Sequence, residues 1–88
     1  MKTSLLSSAV LSLCALSYAG DHIPFCQLPP CAQAAVYRVA PGIRVEDVEV
    51  ENKRGWTVFE VEGHCPRFEY EIKVTPQGQI LKVDRDDR

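Results

Sequence analysis

Beyond the first 20 residues, five histidine and cysteine side chains are of types that bind metals or move electrons: His22, Cys26, Cys31, His64 and Cys65. Imidazole and thiolate ligands suit zinc or copper. Their spacing does not follow a known chemical pattern. Cys26 and Cys31 enclose "QLPP" as C-x4-C, whereas thioredoxin-like redox chemistry uses C-x-x-C within a βαβ unit and haem attachment uses C-x-x-C-H. No serine or cysteine stands with a recognisable base, so no catalytic residue is assigned and the chain reads as a non-enzyme. Cys26 and Cys31 are the disulfide candidates. A bridge between them would tie an N-terminal arm to the start of a helix and contribute about 2 kcal/mol in the chain-entropy model. It requires Pro29-Pro30 to bend, because five extended steps would separate the thiols by about 16 Å. A 26–65 bridge is the alternative; if 26 and 31 pair, Cys65 is a free thiol. A metal cluster of His22, Cys26 and Cys31 is a further alternative, but no metal and no cofactor are assigned. His64 reads as a solvated turn residue.

The second chemical feature is acidity. Glu49 and Glu51, Glu60 and Glu62, and Glu69 and Glu71 form i, i+2 pairs, which places each pair on one face of a strand. From residue 46 to 71 there are eight acidic and three basic residues, a net of −5. The simplest reading is a solvated outer face, with Lys73, Lys82 and Arg67 offsetting repulsion. The sharper reading is a docking surface for a basic partner. Carboxylates spread over a flat face do not supply the converging loop oxygens of a calcium site. Trp56 falls on the face of the glutamates with Val58, opposite Phe59 and Val61. It either covers the sheet edge or anchors a partner, since tryptophan is enriched at binding centres.

The elements that position these groups follow from the rest of the sequence. Met1-Lys2, the apolar run Leu5 to Leu16 and Ser17-Tyr18-Ala19 have the three parts of a secretory leader cut after Ala19. The run is too short to span a membrane, which takes about 20 apolar residues. Lipidation at Cys14 would require a small residue where Leu13 stands. Cleavage leaves 69 residues with 9 basic against 12 acidic side chains, a net of −3. That balance, without a basic stripe, argues against nucleic acid as a partner. An exported chain of this kind is periplasmic or secreted, where exposed thiol pairs tend to oxidise.

Residues 20–28 read as an extended arm. Pro29-Pro30 opens a helix with Ala32, Ala35, Val36, Val39 and Ala40 on one face, closed by Pro41-Gly42. Four strands follow: Ile43 to Glu51, with a bulge at Glu46-Asp47; Trp56 to Glu62; "RFEYEIKV", with Phe68, Tyr70, Ile72 and Val74 on one side; and a short "ILKV". The domain spans 29–84 and a charged tail occupies 85–88. The fold class is α+β, one N-terminal helix packed on a four-stranded antiparallel β-meander. This topology puts Cys31 and Cys65 at opposite ends of a helix about 15 Å long, too far apart for a shared metal or disulfide.

The stretches "LPPCAQAAVYRVAPGIRVEDVEVE", "GWTVFEVEG" and "FEYEIKVTPQGQILKV" together resemble the PepSY family over Leu28 to Asp84. The matching features are the alanine-rich helix closing at Pro-Gly, the alternating strands and the final turn into "ILKV". The resemblance implies a small exported module that restrains a peptidase or modulates another protein of the cell envelope. It brings no catalytic residues, and the three cysteines lie outside its pattern. The expected partner is therefore an envelope or secreted protein, with a peptidase as the implied class. A small metal-binding or thiol redox-sensing protein using Cys26, Cys31 and Cys65 is the alternative.

Overall fold

A computed structural model describes residues 21–88, apart from the side chain of Lys53. The leader and its cleavage point lie outside the described residues. Helix α1 spans Pro30–Val39. Pro29 is extended at φ −56°, ψ 149°, and Pro30 takes the first turn, where its fixed φ and missing N–H cost the helix nothing. The helix closes as Ala40 donates its N–H to Val36 O, and Gly42 adopts φ 77°, a conformation that glycine enters without a side-chain penalty. Ala32, Ala35 and Val36 are fully buried. Two alanines on this stripe let the helix approach the sheet closely.

Strands β1 (Arg44–Lys53), β2 (Trp56–His64), β3 (Phe68–Val74) and β4 (Ile80–Asp87) follow as an antiparallel meander in sequence order. Lys53 pairs with Trp56, and the two residues between them, Arg54 and Gly55, have φ 53° and 82°. Two consecutive left-handed residues make a type I′ turn, whose twist matches that of the strands it joins. On the helix side, Val48, Val61 and Ile72 form one cross-strand row and Val50, Phe59 and Val74 the next. These rows and the buried helix residues make a single core, completed by Leu28, Ala40 and Ile43. The α+β architecture is therefore the one expected.

The helix runs antiparallel to the direction in which β1 leaves it, as the topology requires. Its start abuts the β3–β4 turn, where a Cβ placed on Gly78 would lie 2.7 Å from Cys31 O. Its end meets the β2–β3 turn, where Cys65 Sγ lies 3.7 Å from Pro41 O. Cys31 and Cys65 are thus at opposite ends of the domain.

Four expectations need correction. The bridge between Cys26 and Cys31 is not formed: Cys31 and Cys65 both carry free thiols, which also rules out a 26–65 bridge. Leu28 and Pro29 are extended, with ψ 146° and 149°, so the chain between Cys26 and Cys31 does not turn back. The arm is held instead by Gln33, whose side-chain amide donates to Leu28 O at 2.9 Å and Cys26 O at 3.4 Å. Second, the arm is not simply extended. It contains a 3₁₀ turn at Phe25–Gln27 and pairs with β1 through His22 and Glu49, using Ile23 N to Val48 O and Val50 N to Asp21 O. Third, β4 continues through most of the expected tail. Asp87, Asp86 and Arg85 pair with Phe68, Glu69 and Tyr70, which would otherwise leave half of β3 without a neighbour on that side. The Arg85 guanidinium also lies 4.3 Å over the Phe68 ring. Fourth, His64 closes β2 rather than standing in a turn. Its side chain is only 24% exposed, and its Nδ1 lies 2.9 Å from Glu46 Oε2.

Candidate functional site

The face of the sheet turned away from α1 carries the acidic residues, and strand register decides how they meet. Directly opposed residues of an antiparallel sheet share a face. Asp47 opposes Glu62, Glu62 opposes Glu71, and Glu71 opposes Asp84. One row across all four strands is therefore entirely carboxylate. The neighbouring row reads Glu49, Glu60, Lys73, Lys82, and the row on the other side ends in Glu69 and Asp86. A groove of about 410 Å³ lies here, lined by Glu46, Glu62, Glu69, Glu71, Asp84 and Asp86, with Gly63, Tyr70 and Arg85 completing it.

Opposed like charges destabilise a sheet by roughly 0.2–1 kcal/mol per pair, and the electrostatics show the crowding. Glu71 is held above the usual carboxylate range, chiefly because Glu60 shares a hydrogen bond with it and adds negative charge. Partial desolvation and Asp84 push in the same direction, while Lys82 opposes them. Basic residues engage the face at its margins: Lys73 Nζ lies 3.7 Å from Glu51 Oε1, Lys82 Nζ 3.4 Å from Asp84 Oδ2 and Arg88 Nε 3.7 Å from Glu69 Oε2. None of these three stands in the carboxylate row.

A β-bulge organises the upper edge of this face. The register slips between Val45 and Asp47, so Glu46 is the extra residue of β1. The bulge brings two consecutive carboxylates to neighbouring imidazoles, Glu46 to His64 and Asp47 to His22. His22 Nδ1 lies 2.8 Å from Asp47 Oδ1, and its Nε2 lies 3.5 Å from Glu49 Oε2. The His22 imidazole is raised above its ordinary pKa, first by the hydrogen bond and charge of Asp47, with Glu49 and Asp21 adding to it and burial opposing.

Six glutamates expected on the binding surface, Glu49, Glu51, Glu60, Glu62, Glu69 and Glu71, all lie on this face. Trp56 stands on the same face at the β1–β2 hairpin, 67% exposed, and is separated from the carboxylate row by the Glu51–Val58 and Glu49–Glu60 pairs. Cys26, Cys31 and Cys65 do not converge. Among the described residues, the groups whose ligand atoms lie within 4.8 Å of one another are His22–Asp47–Glu49 and Glu49–Glu51–Glu60, so neither contains a thiol. The face is also less flat than expected, since three glutamates converge on it.

Asp47, Asp84, Asp86 and Glu46 were absent from the expected surface. Asp47 and Glu46 could have been found by carrying the bulge at 46–47 through the alternation, which flips the phase of β1. Asp84 and Asp86 belong to the part of β4 that looked like a tail. The thiols are set apart from the acidic face. Cys31 is exposed and Cys65 is half-buried. No helix among the described residues is long and apolar enough to cross a membrane. No family model, curated protein or solved structure matches the chain.

Proposed function

We propose that this chain is a non-enzymatic, exported binding module that receives a positively charged segment of an envelope or secreted protein on the acidic face of its sheet. The carrying observation is the in-register row Asp47, Glu62, Glu71, Asp84, bordered by a groove lined with six carboxylates. A fold gains nothing from aligning four like charges, and a small domain near the limit of self-sufficient folding has little stability to spare. A cationic partner converts that repulsion into attraction and speeds encounter, with a strong salt dependence. The resemblance of residues 28–84 to PepSY modules supports a restraining or modulating role, with a peptidase as the partner class. Trp56 offers an apolar anchor at the hairpin end of the same face.

The test is a titration with a fluorescent lysine- and arginine-rich peptide and an acidic peptide of equal length, at low and high salt. The reading expects salt-sensitive binding of the basic peptide alone. It also expects the triple variant Glu62→Gln, Glu71→Gln, Asp84→Asn to bind at least tenfold more weakly, a change of about 1.4 kcal/mol. Equal binding of both peptides, or undiminished binding by the triple variant, refutes it.

A further inference from the structure

The last strand of the sheet has one neighbour. β4 pairs with β3 on one side, and among the described residues no strand pairs with its other edge. Past the register slip at Leu81 it reads Lys82-Val83-Asp84-Arg85-Asp86-Asp87, all exposed. Just beyond the strand, Arg88 donates its N–H to Arg67 O on the β3 side. Counting back by twos, the backbone groups of Asp86, Asp84 and Lys82 also turn to β3, and those of Asp87, Arg85 and Val83 turn outward. Such an edge is a template for a further strand.

The side chains of β4 decide which strand it can accept. Two of the four large apolar side chains exposed among the described residues, Leu81 and Val83, belong to it. Val83 continues the core row of Val48, Val61 and Ile72, whose members are buried, yet is itself 41% exposed. The charges around it ordinarily guard an edge by repelling other strands. A second copy of β4 is the exception. Two identical antiparallel strands pair about a twofold axis that sets one residue opposite itself. Val83 is the one uncharged residue of the run 82–87, so every other centre on that run opposes two like charges.

Centring on Val83 opposes valine to valine, with their outward N–H and C=O groups bonded reciprocally. It also sets Lys82 of each copy opposite Asp84 of the other. Lys82 Nζ lies 3.4 Å from Asp84 Oδ2 on its own strand, so the junction gathers four side chains of alternating sign. On the outer face, the row Asp47, Glu62, Glu71, Asp84 then runs on into Lys82 and Lys73 of the second copy. Two lysines come into line with four carboxylates, once in each direction.

We propose that the chain forms a symmetric dimer in which β4 pairs antiparallel with β4 of a second copy, Val83 opposite Val83, joining the two four-stranded sheets into one. The dimer goes beyond the basic-segment reading and does not rest on it.

The experiment is sedimentation equilibrium of the full chain, with Cys31→Ser and Cys65→Ser to exclude covalent dimers. A reversible monomer–dimer equilibrium is expected. Lys82→Asp sets aspartate against aspartate on both sides of the axis, and Asp84→Lys sets lysine against lysine, so each should weaken the dimer roughly tenfold or more. Within one copy the first substitution faces Lys73 and the second faces Glu71, so each gains an attractive neighbour and the fold should hold, which thermal unfolding verifies. An equimolar mixture of the two variants restores opposite charges at every junction pair and should dimerise as strongly as the parent chain. A parent chain that stays monomeric up to millimolar concentration overturns the proposal. So do single variants that dimerise undiminished, or a mixture that does not regain the dimer. None of these results touches the acidic-face reading, which the peptide titration tests separately.

Discussion

Replacing Glu71 by glutamine should stabilise the fold while weakening the activity proposed for it. Glu71 directly faces Glu62 on β2 and Asp84 on β4, and glutamine keeps its shape and its ability to hydrogen-bond Glu60. Relieving two opposed pairs at roughly 0.2–1 kcal/mol each, on an exposed face where solvent screens part of the effect, yields about 1 kcal/mol. For a domain of this size, that raises the thermal midpoint by roughly 4–8 °C. The pH dependence has a definite sign. The folded state holds the Glu71 carboxyl above its unfolded value, so folding favours the protonated form. The stability contributed by that proton is fully present below the unfolded pKa and is lost as pH rises through the raised folded one. The benefit of Glu71→Gln should accordingly be absent at acid pH and develop fully across that interval. It should also shrink in about 1 M salt, where the Debye length is about 3 Å. Thermal unfolding followed by circular dichroism at three pH values and two salt concentrations measures all of this. A variant less stable than wild type at neutral pH, or equally stabilised in high salt, would refute the electrostatic reasoning.

Other expectations follow from packing and exposure. Ile72 is fully buried at the centre of the core, and Ile72→Ala should cost about 2–5 kcal/mol in urea unfolding, enough to leave so small a domain largely unfolded. Cys31 should react with a thiol reagent in the native protein at a rate close to that of a free peptide, since it is exposed, whereas half-buried Cys65 should react slowly until the fold is opened by denaturant. Trp56→Ala should change stability by no more than about 0.5 kcal/mol, because the side chain is 67% exposed, yet weaken basic-peptide binding. Iodide should quench Trp56 fluorescence in the free protein and quench it less in the complex.

Much of this fold was legible in the sequence because its signals are local. Pro29-Pro30 and Pro41-Gly42 bracket a helix, and the alternation of Phe68, Tyr70, Ile72 and Val74 marks a strand with one buried side. The run 85–88 misled because its charges resemble a solvated tail. Its pairing with Phe68, Glu69 and Tyr70 comes from the needs of β3, which lie in another part of the chain. The cysteines misled for a related reason. C-x4-C brings two cysteines close in sequence, but the extended backbone of Leu28 and Pro29 sets their separation in space. The acidic face itself was visible as i, i+2 pairs. That the carboxylates of four strands fall into one row depends on register, and register follows from the Arg54-Gly55 turn and the bulge at Glu46 together.

The most direct test of the central claim is a ¹⁵N-resolved nuclear magnetic resonance titration of the protein with an extended lysine- and arginine-rich peptide. Binding to the acidic face predicts salt-sensitive shifts confined to the amides around Glu62, Glu69, Glu71, Asp84 and Asp86, with α1 unmoved. An absence of shifts, or shifts centred on α1 and the Phe25–Tyr37 contact, would contradict it.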